Sequence, residues 1–143
     1  MRHVVVVTLL SAVSMVGCGH QTPTPRVPTV VEGPAAAWQH ITVVAGEKTA
    51  EVPPDLRAGM APLLASRAVS MPQAPAEYGL DRPQAQLSYR APNRAADVLI
   101  GSANFDRHFF YVERAGRATV YLVPADSLRP VLVLIGIEVA PPD

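Results

Sequence analysis

Apolar and polar residues alternate along residues 84–90, which gives the clearest structural pattern in the chain. Successive side chains of a strand point to opposite faces, so a two-residue period is typical of a half-buried strand. We therefore predict a strand here, with Ala85, Leu87 and Tyr89 facing the interior.

A turn precedes this strand at residues 78–83. Gly79 has no Cβ and is expected to adopt a positive φ, whereas Pro83 fixes its own φ and has no backbone N–H to donate. We expect the rest of the chain to be organised around this turn and strand.

Shorter stretches of the same kind predict further strands. They lie at residues 38–44, 48–52, 96–101, 109–114 and 117–123, with an extended piece at 68–71 and a hairpin turn at Ala115-Gly116. The segment 48–52 is polar, so we expect it at an edge of the sheet.

A helix is predicted to begin at Asp55, whose carboxylate can cap free backbone N–H groups. Apolar residues then recur at helical spacing, namely Leu56, Met60, Leu63 and Leu64. Pro62 lacks an N–H and is expected to kink this helix or divide it into two turns.

Residues 127–135 contain signals for both helix and strand. Asp126 as an N-cap and Pro130 in the first turn favour a helix, whereas three branched residues favour a strand: Val131, Val133 and Ile135. We expect a helix that ends at Gly136. The elements together predict an α+β fold, with a single mostly antiparallel sheet and one or two helices packed on one face.

Residues 1–17 resemble a bacterial lipoprotein signal peptide. A basic start is followed by an apolar run at 4–16, which is too short to span a bilayer as a stable helix. Gly17-Cys18 then resembles the lipobox, in which the cysteine is lipidated and becomes the mature N-terminus. The alternative is a plain secretory leader with a free thiol, but an unpaired exposed cysteine would be reactive. We therefore predict that acylated Cys18 anchors the protein in a membrane.

Residues 18–37 are rich in proline and threonine and have no periodic apolar face. They are predicted to form a disordered, polyproline-like linker, although a proline-rich run can also be a peptide ligand. The folded domain is predicted at residues 38–138, followed by a short tail at 139–143.

Twelve basic residues balance twelve acidic ones, so charge gives no bias toward nucleic acid. The single cysteine excludes an internal disulfide. No phosphate-binding loop, dinucleotide-binding motif or metalloprotease motif occurs, so we predict no metal and no cofactor. The densest polar group contains Asp106 and His108, and a small envelope enzyme that uses this pair is the alternative to a non-enzymatic protein.

The hairpin at 109–123 is unusually aromatic. Depending on register, Phe110 and Val112 share a face with Val120 and Leu122 or lie opposite them. We expect the shared face, which places a second set together on the other side: Phe109, Tyr111 and Tyr121. If this aromatic face is exposed, it is a candidate partner surface; the alternative is that the linker or tail covers it, or that it belongs to the core.

Four short segments carry a family resemblance. They are Glu77-Tyr78-Gly79-Leu80-Asp81-x-Pro83, Leu99-Ile100-Gly101, Tyr111-Val112 and Val120-Tyr121-Leu122-Val123. In order and spacing they resemble the bacterial domain-of-unknown-function family 4340, over about residues 41–137. The resemblance implies association with the cell envelope and, for some members, a link with ABC-transporter components. It supplies no catalytic residues.

These observations predict an envelope lipoprotein with a small, non-enzymatic binding or assembly domain. Cys18 would anchor it on the outer side of the cytoplasmic membrane or at the outer membrane. The expected partner is an envelope protein, and an accessory role beside an ABC transporter is one setting for it.

Overall fold

The computed structural model describes residues 27–70 and 72–142, so the predicted signal peptide, Cys18 and the first part of the predicted linker lie outside the described residues. Nine strands are present in the described part of the chain: β1 (Thr29–Val31), β2 (His40–Ala45), β3 (Lys48–Glu51), β4 (Leu63–Leu64), β5 (Arg67–Ala68), β6 (Ala85–Ala91), β7 (Arg94–Ala103), β8 (Phe109–Arg114) and β9 (Val120–Pro124). The helices are α1 (Pro54–Arg57) and α2 (Ala125–Leu134), with 3-10 turns at Ala35–Ala37 and Pro75–Tyr78.

The principal sheet has seven strands in the order β3-β2-β6-β7-β8-β9-β5, and every neighbouring pair in it is antiparallel. Strands β6 to β9 follow one another as a meander, while β1 and β4 form a separate antiparallel pair. The predicted α+β class, with a mostly antiparallel sheet and two helices, is confirmed. The expectation of a single sheet was wrong, because β1 and β4 form a second sheet.

Strand β6 has the predicted orientation. Ala85, Leu87 and Tyr89 are buried, and the residues between them are partly exposed. The Tyr89 hydroxyl donates a hydrogen bond of 2.7 Å to the backbone carbonyl of Met60, and Trp38 contacts the Tyr89 ring edge-on at a centroid distance of 5.4 Å. Strand β6 therefore contributes one whole face to the hydrophobic core.

Helix α2 contributes four of its residues to the interior. Leu128, Val131 and Leu132 belong to the same buried cluster as Leu87 and Val98 of the central strands. The preference for helix over strand at 127–135 was correct, and Gly136 follows the helix with a φ of +75°. The predicted cap was wrong: Pro124 occupies the N-cap, and Asp126 lies in the first turn, where it forms an ion pair with Arg129.

The prediction of a longer helix from Asp55 to Leu64 was wrong. Helix α1 ends at Arg57, and the N-cap is Pro53 rather than Asp55, which lies in the first turn. Pro62 cannot donate a backbone hydrogen bond, so the helical pattern of leucines after it is not continued. Leu63 and Leu64 instead form β4, which pairs with β1.

The predicted linker at 18–37 also requires correction in its described part. Residues 29–31 form β1, and Val30 and Val31 are buried in the main core. Two adjacent branched apolar residues stabilise a strand because they can be buried when β4 provides the hydrogen-bonding partner. The folded part therefore includes residues 29–31, which had been assigned to the linker before residue 38. Its end is also later than predicted, because Val139 packs against the core.

Candidate functional site

The register of β8 and β9 separates the three aromatic residues that were expected to lie together. The pairs include Phe109 with Pro124, Tyr111 with Leu122, and Val112 with Tyr121. Directly paired residues share a face, so Tyr121 lies on the same face as Val112, opposite to Phe109 and Tyr111. The predicted trio was therefore wrong, as was the expected grouping of Val112 with Leu122.

Tyr111 lies on the face opposite the main core, but another part of the chain covers it. The segment before β6 crosses this face and forms a second buried cluster of Tyr78, Leu80 and Val120, against which Tyr111 packs. The rings of Tyr78 and Tyr111 have centroids 4.7 Å apart. The aromatic face of the hairpin is thus an internal contact with the turn that precedes β6.

This crossing depends on two glycines. Gly79 has a φ of +69°, as predicted, and a Cβ at this position would lie 2.9 Å from the backbone nitrogen of Ser102. A Cβ at Gly101 would lie closer than 3.0 Å to the carbonyl oxygen of Tyr78. Because both positions lack side chains, the backbone of the turn can lie directly against the end of β7.

A cavity of about 360 Å³ opens beside this crossing. It is lined by residues from the turn, from the end of β7, from the following loop and from the C-terminal segment: Gly79, Arg82, Gln84, Gly101, Ser102, Ala103, Arg107, Phe110, Glu138, Val139 and Ala140. The sequence did not indicate this site, because the lining residues come from three separate stretches of the chain, 79–84, 101–110 and 138–140, and no short motif joins them.

The loop between β7 and β8 borders the cavity and is held by several hydrogen bonds. The Asn104 backbone N–H donates to the Phe109 carbonyl at 2.8 Å, and the Asn104 side-chain oxygen accepts from the Phe109 N–H at 3.1 Å. The His108 carbonyl accepts a bond of 2.8 Å from the Ala125 N–H at the start of α2. The conformation of the loop is therefore determined by specific bonds at both ends.

Phe105 projects from this loop with 93% of its surface exposed. Phe105 was not among the predicted site residues, although an aromatic residue between Asn104 and Asp106 is the signal that could have identified it. Ala103 and Arg107, which both line the cavity, lie on either side of it in the chain. Phe105 is therefore close in the chain to the cavity lining, although it is not itself a lining residue.

In the candidate catalytic pair, Asp106 contacts the backbone of His108. One carboxylate oxygen of Asp106 accepts a hydrogen bond of 3.0 Å from the backbone N–H of His108, not from its ring. The His108 ring lies beside the Phe109 ring at a centroid distance of 6.4 Å. This geometry shapes the loop, and the described residues contain no cluster of three or more His, Cys, Asp or Glu that could hold a metal ion.

A polar group lies on the outer face of β6 and β7. Asp97 on β7 is paired with Ser88 on β6. One carboxylate oxygen of Asp97 lies 2.9 Å from a side-chain nitrogen of Arg90. Partial burial by itself would raise the pKa of Asp97, but hydrogen bonds from Arg90, Ser88 and Gln86 and the charge of Arg90 together lower it. The group stabilises this strand pair as an ion pair with hydrogen-bonded neighbours.

Comparison with known proteins identifies the family. The model of the family described as Domain of unknown function (DUF4340) matches residues 55–131, which is more than half of the chain, and the chain belongs to this family. The match includes the turn with Gly79, strands β6 to β9 and the loop with Phe105. Neither the curated proteins nor the solved structures gave a match. Within residues 27–70 and 72–142, no helix is long and apolar enough to cross a bilayer.

Proposed function

We propose that this chain is a lipid-anchored envelope lipoprotein whose folded part binds another envelope protein through the loop that carries Phe105. An accessory role beside an ABC transporter or another envelope system is consistent with this proposal. The single observation that supports binding is the nearly complete exposure of Phe105 on a loop fixed by hydrogen bonds.

The anchor is proposed from the sequence Gly17-Cys18 after an apolar run. Thr29, where β1 begins, is only eleven residues from Cys18. A chain of that length can extend at most about 40 Å, so the folded part would remain close to the bilayer surface. A partner within the same membrane or envelope layer would be within reach.

The loop offers an aromatic contact that requires little ordering on binding. Large aromatic side chains dominate many protein interfaces because each buries a large apolar area. A loop that is already fixed loses less conformational entropy when it is bound than a flexible one. Burial of Phe105 by a partner would therefore contribute most of its hydrophobic free energy to affinity.

The arrangement of Asp106 and His108 favours binding over the enzyme alternative. Asp106 uses a carboxylate oxygen to hold the backbone of the loop, which fixes the position of Phe105. A general acid–base pair needs a side-chain contact aimed at a reacting atom, whereas this carboxylate accepts a hydrogen bond from a backbone N–H.

Site-specific photocrosslinking tests the proposed surface. A photoreactive phenylalanine analogue placed at position 105 of the full chain in cells should form a discrete adduct with one envelope protein. The matched control is position 133, because Val133 is also an exposed apolar residue but lies on α2, at 59% exposure. Adducts of equal yield at both positions, or none at 105, would contradict the proposal.

Lipid labelling tests the anchor separately. Replacement Cys18→Ala should abolish incorporation of labelled palmitate and leave the chain unprocessed or released from the membrane. Incorporation of the label into the variant at the wild-type level would show that the anchor is not at Cys18.

A further inference from the structure

Four of the five large apolar side chains that are exposed in the described part of the chain come from neighbouring elements. Val27 precedes β1, Leu64 ends β4, and the remaining two end α2: Val133 and Leu134. A single exposed apolar side chain is common and needs no explanation, whereas a contiguous group marks a surface that contacts something. The contacts between β1, β4 and α2 make this group contiguous.

Val27 and Leu64 lie close together because β1 pairs with β4. Thr29 is paired with Leu64, and the Ala65 N–H donates a hydrogen bond of 2.9 Å to the Pro28 carbonyl. Val27 directly precedes Pro28, so the chain enters the fold beside the exposed side chain of Leu64.

Strand β4 lies beside the first turn of α2. Leu63 and Leu64 of β4 and Ser127 of α2 line one depression of about 370 Å³. The other residues of its lining come from the segment after α1: Ala58, Gly59 and Pro62. None of these lining residues carries a charge, so the depression offers an uncharged surface.

The exposed side of α2 continues this surface away from the depression. Residues three and seven positions apart lie on the same side of a helix, so Pro130 and Leu134 follow Ser127 along α2. Val133 is exposed beside them. We call this surface the β4–α2 face and define it by its exposed apolar residues: Val27, Pro62, Leu64, Pro130, Val133 and Leu134.

The second half of α2 is apolar on both its inner and its outer side. Val131 and Leu132 are buried in the main core, whereas Val133 and Leu134 point away from it. A helix at the surface of a soluble protein normally carries polar residues on its outer side, and a helix that is apolar all round is covered. The charged residues of α2 are Asp126 and Arg129, which form an ion pair with each other. The outer side of α2 therefore suits an apolar contact that has no charge preference.

The position of Cys18 indicates what covers this face. Val27 is nine residues after Cys18, and nine residues extend at most about 30 Å. An anchor at Cys18 would therefore keep the β4–α2 face near the bilayer. Because the chain enters the fold at this face, the face can turn toward the bilayer without the chain passing around the domain.

We propose that the β4–α2 face rests on the bilayer surface and inserts its apolar side chains among the lipid headgroups. This inference rests on the proposed anchor at Cys18. An interfacial helix of this kind buries its apolar side about 5–10 Å into the headgroup region. The anchor holds the face at a high effective concentration relative to the bilayer, so a weak contact is sufficient.

Fluorescence quenching tests the contact in the acylated full chain, reconstituted into phosphatidylcholine vesicles. The chain has one cysteine, whose thiol is blocked when it is acylated, so an introduced cysteine is the group that a thiol-reactive fluorophore labels. Leu64→Cys and Leu134→Cys report on the β4–α2 face. The control is Ala76→Cys, because Ala76 is exposed in the 3-10 turn that crosses the opposite side of the sheet.

We expect a lipid with a spin label on its acyl chain to quench the fluorophores at positions 64 and 134 at least threefold more strongly than that at position 76. Addition of phosphatidylglycerol should not change this ratio. Equal quenching at the three positions, or quenching that requires phosphatidylglycerol, overturns the proposal. A fluorophore at position 64 that is shielded from water but not quenched by the lipid would show that a protein or a second copy covers the face, which also overturns it.

Palmitate labelling of the same preparation separates this inference from the anchor on which it rests. If the chain is acylated at Cys18 and floats with the vesicles but shows equal quenching at the three positions, the anchor stands and the face does not contact the bilayer. If Cys18 carries no acyl group, the anchor and the contact are both refuted.

A charge placed on the face tests the contact in a second way. Val133→Asp should reduce quenching of the fluorophore at position 64 at least twofold, because a carboxylate resists transfer from water into the headgroup region. Ala76→Asp is the control, since it adds the same charge on the opposite side of the sheet. Melting temperatures establish that the variants are folded, and Leu134→Asp replaces Val133→Asp if that variant unfolds. If the aspartate on α2 reduces the quenching no more than Ala76→Asp does, the proposal is wrong.

Discussion

Gly101 on β7 faces the carbonyl oxygen of Tyr78 so closely that a Cβ at position 101 would collide with it. In the same way, a Cβ at Gly79 in the turn would collide with Ser102 at the end of β7. The two glycines therefore allow a backbone-to-backbone contact between the 3-10 turn and the end of β7, where the contacting residues Tyr78 and Gly101 are more than twenty residues apart in the chain. The second hydrophobic cluster and the cavity both form around this contact.

Gly101→Ala should destabilise the fold by about 1–3 kcal/mol, because the obstacle is a backbone oxygen that cannot rotate away. Gly59→Ala is the matched control, since a Cβ there meets the Leu56 carbonyl at an ordinary 3.6 Å. Neither glycine has a positive φ, so the comparison measures steric contact alone. Urea unfolding provides the free energies, and equal values for the two variants would show that the turn can move away from β7.

Gly79→Ala should also destabilise the fold, by about 1–3 kcal/mol, and Gly79→Val by at least as much. Two causes contribute, a positive φ and a collision with Ser102. Gly116→Ala isolates the first cause, because Gly116 has a φ of +84° and open space around it. The difference between the losses in unfolding free energy caused by Gly79→Ala and Gly116→Ala therefore measures the cost of the collision with Ser102.

A double variant tests that assignment. Ser102→Ala removes the hydroxyl that lies nearest to the position of the added Cβ. In the Ser102→Ala background the cost of Gly79→Ala should therefore be smaller, although the Ser102 backbone nitrogen still limits the recovery. Strictly additive free energies would mean that Gly79 is required only for its φ.

The sequence was sufficient where the relevant physics is local. The alternation around Leu87 predicted the buried face of β6, and a glycine within a turn predicted the left-handed conformation at position 79. The prediction of helix α1 from its cap and its apolar spacing was wrong. Leu63 and Leu64 continue the helical period, but Pro62 prevents the backbone from continuing the helix through them.

Tyr111 and Tyr121 share a face only if the unpaired connection has an odd number of residues. The predicted two-residue turn at Ala115-Gly116 is an even-numbered connection and was therefore inconsistent with the expected trio, and the observed pairs also join odd-numbered to even-numbered residues. Pairing between distant segments was not accessible from the sequence. The burial of Val30 required β4 as a partner, and the cavity required three separate segments. Phe105 was overlooked because its exposure is a property of the folded loop.

Tyr111→Ser should destabilise the fold by about 1–3 kcal/mol, because Tyr111 packs against Tyr78 in the second cluster. The matched control is Phe105→Ser, which also removes an aromatic ring but at an exposed position in the loop before β8, and for which we expect a change of at most about 0.5 kcal/mol. Thermal and urea unfolding of both variants provide the comparison.

Tyr121 extends this test to the opposite face of the hairpin. It packs against the main core, so replacing both Tyr111 and Tyr121 by serine should destabilise two clusters and cost more than either change alone. A fully stable double variant would mean that neither ring contributes to packing, in contradiction to the observed contacts.

Tyr89→Phe should cost about 1–3 kcal/mol at neutral pH, since the buried Met60 carbonyl loses the hydroxyl that donates to it at 2.7 Å. The ring itself is retained, so its packing against Trp38 should change little. A variant as stable as the wild type would indicate that another group, or water, can take over the hydrogen bond.

The same hydroxyl should make wild-type stability depend on pH in alkaline solution. Burial raises the pKa of Tyr89 above its ordinary value, so above about pH 10 the unfolded chain ionises this tyrosine while the folded chain keeps it neutral. The contribution of Tyr89 to stability is therefore complete below about pH 10 and is lost as the pH rises further, by up to about 1.4 kcal/mol per pH unit. Urea unfolding at pH 8 and pH 11 should show a smaller decrease for Tyr89→Phe than for the wild type, because the other titrating groups are common to both. Equal decreases would mean that Tyr89 ionises equally easily in the folded and unfolded chains, which would contradict its burial.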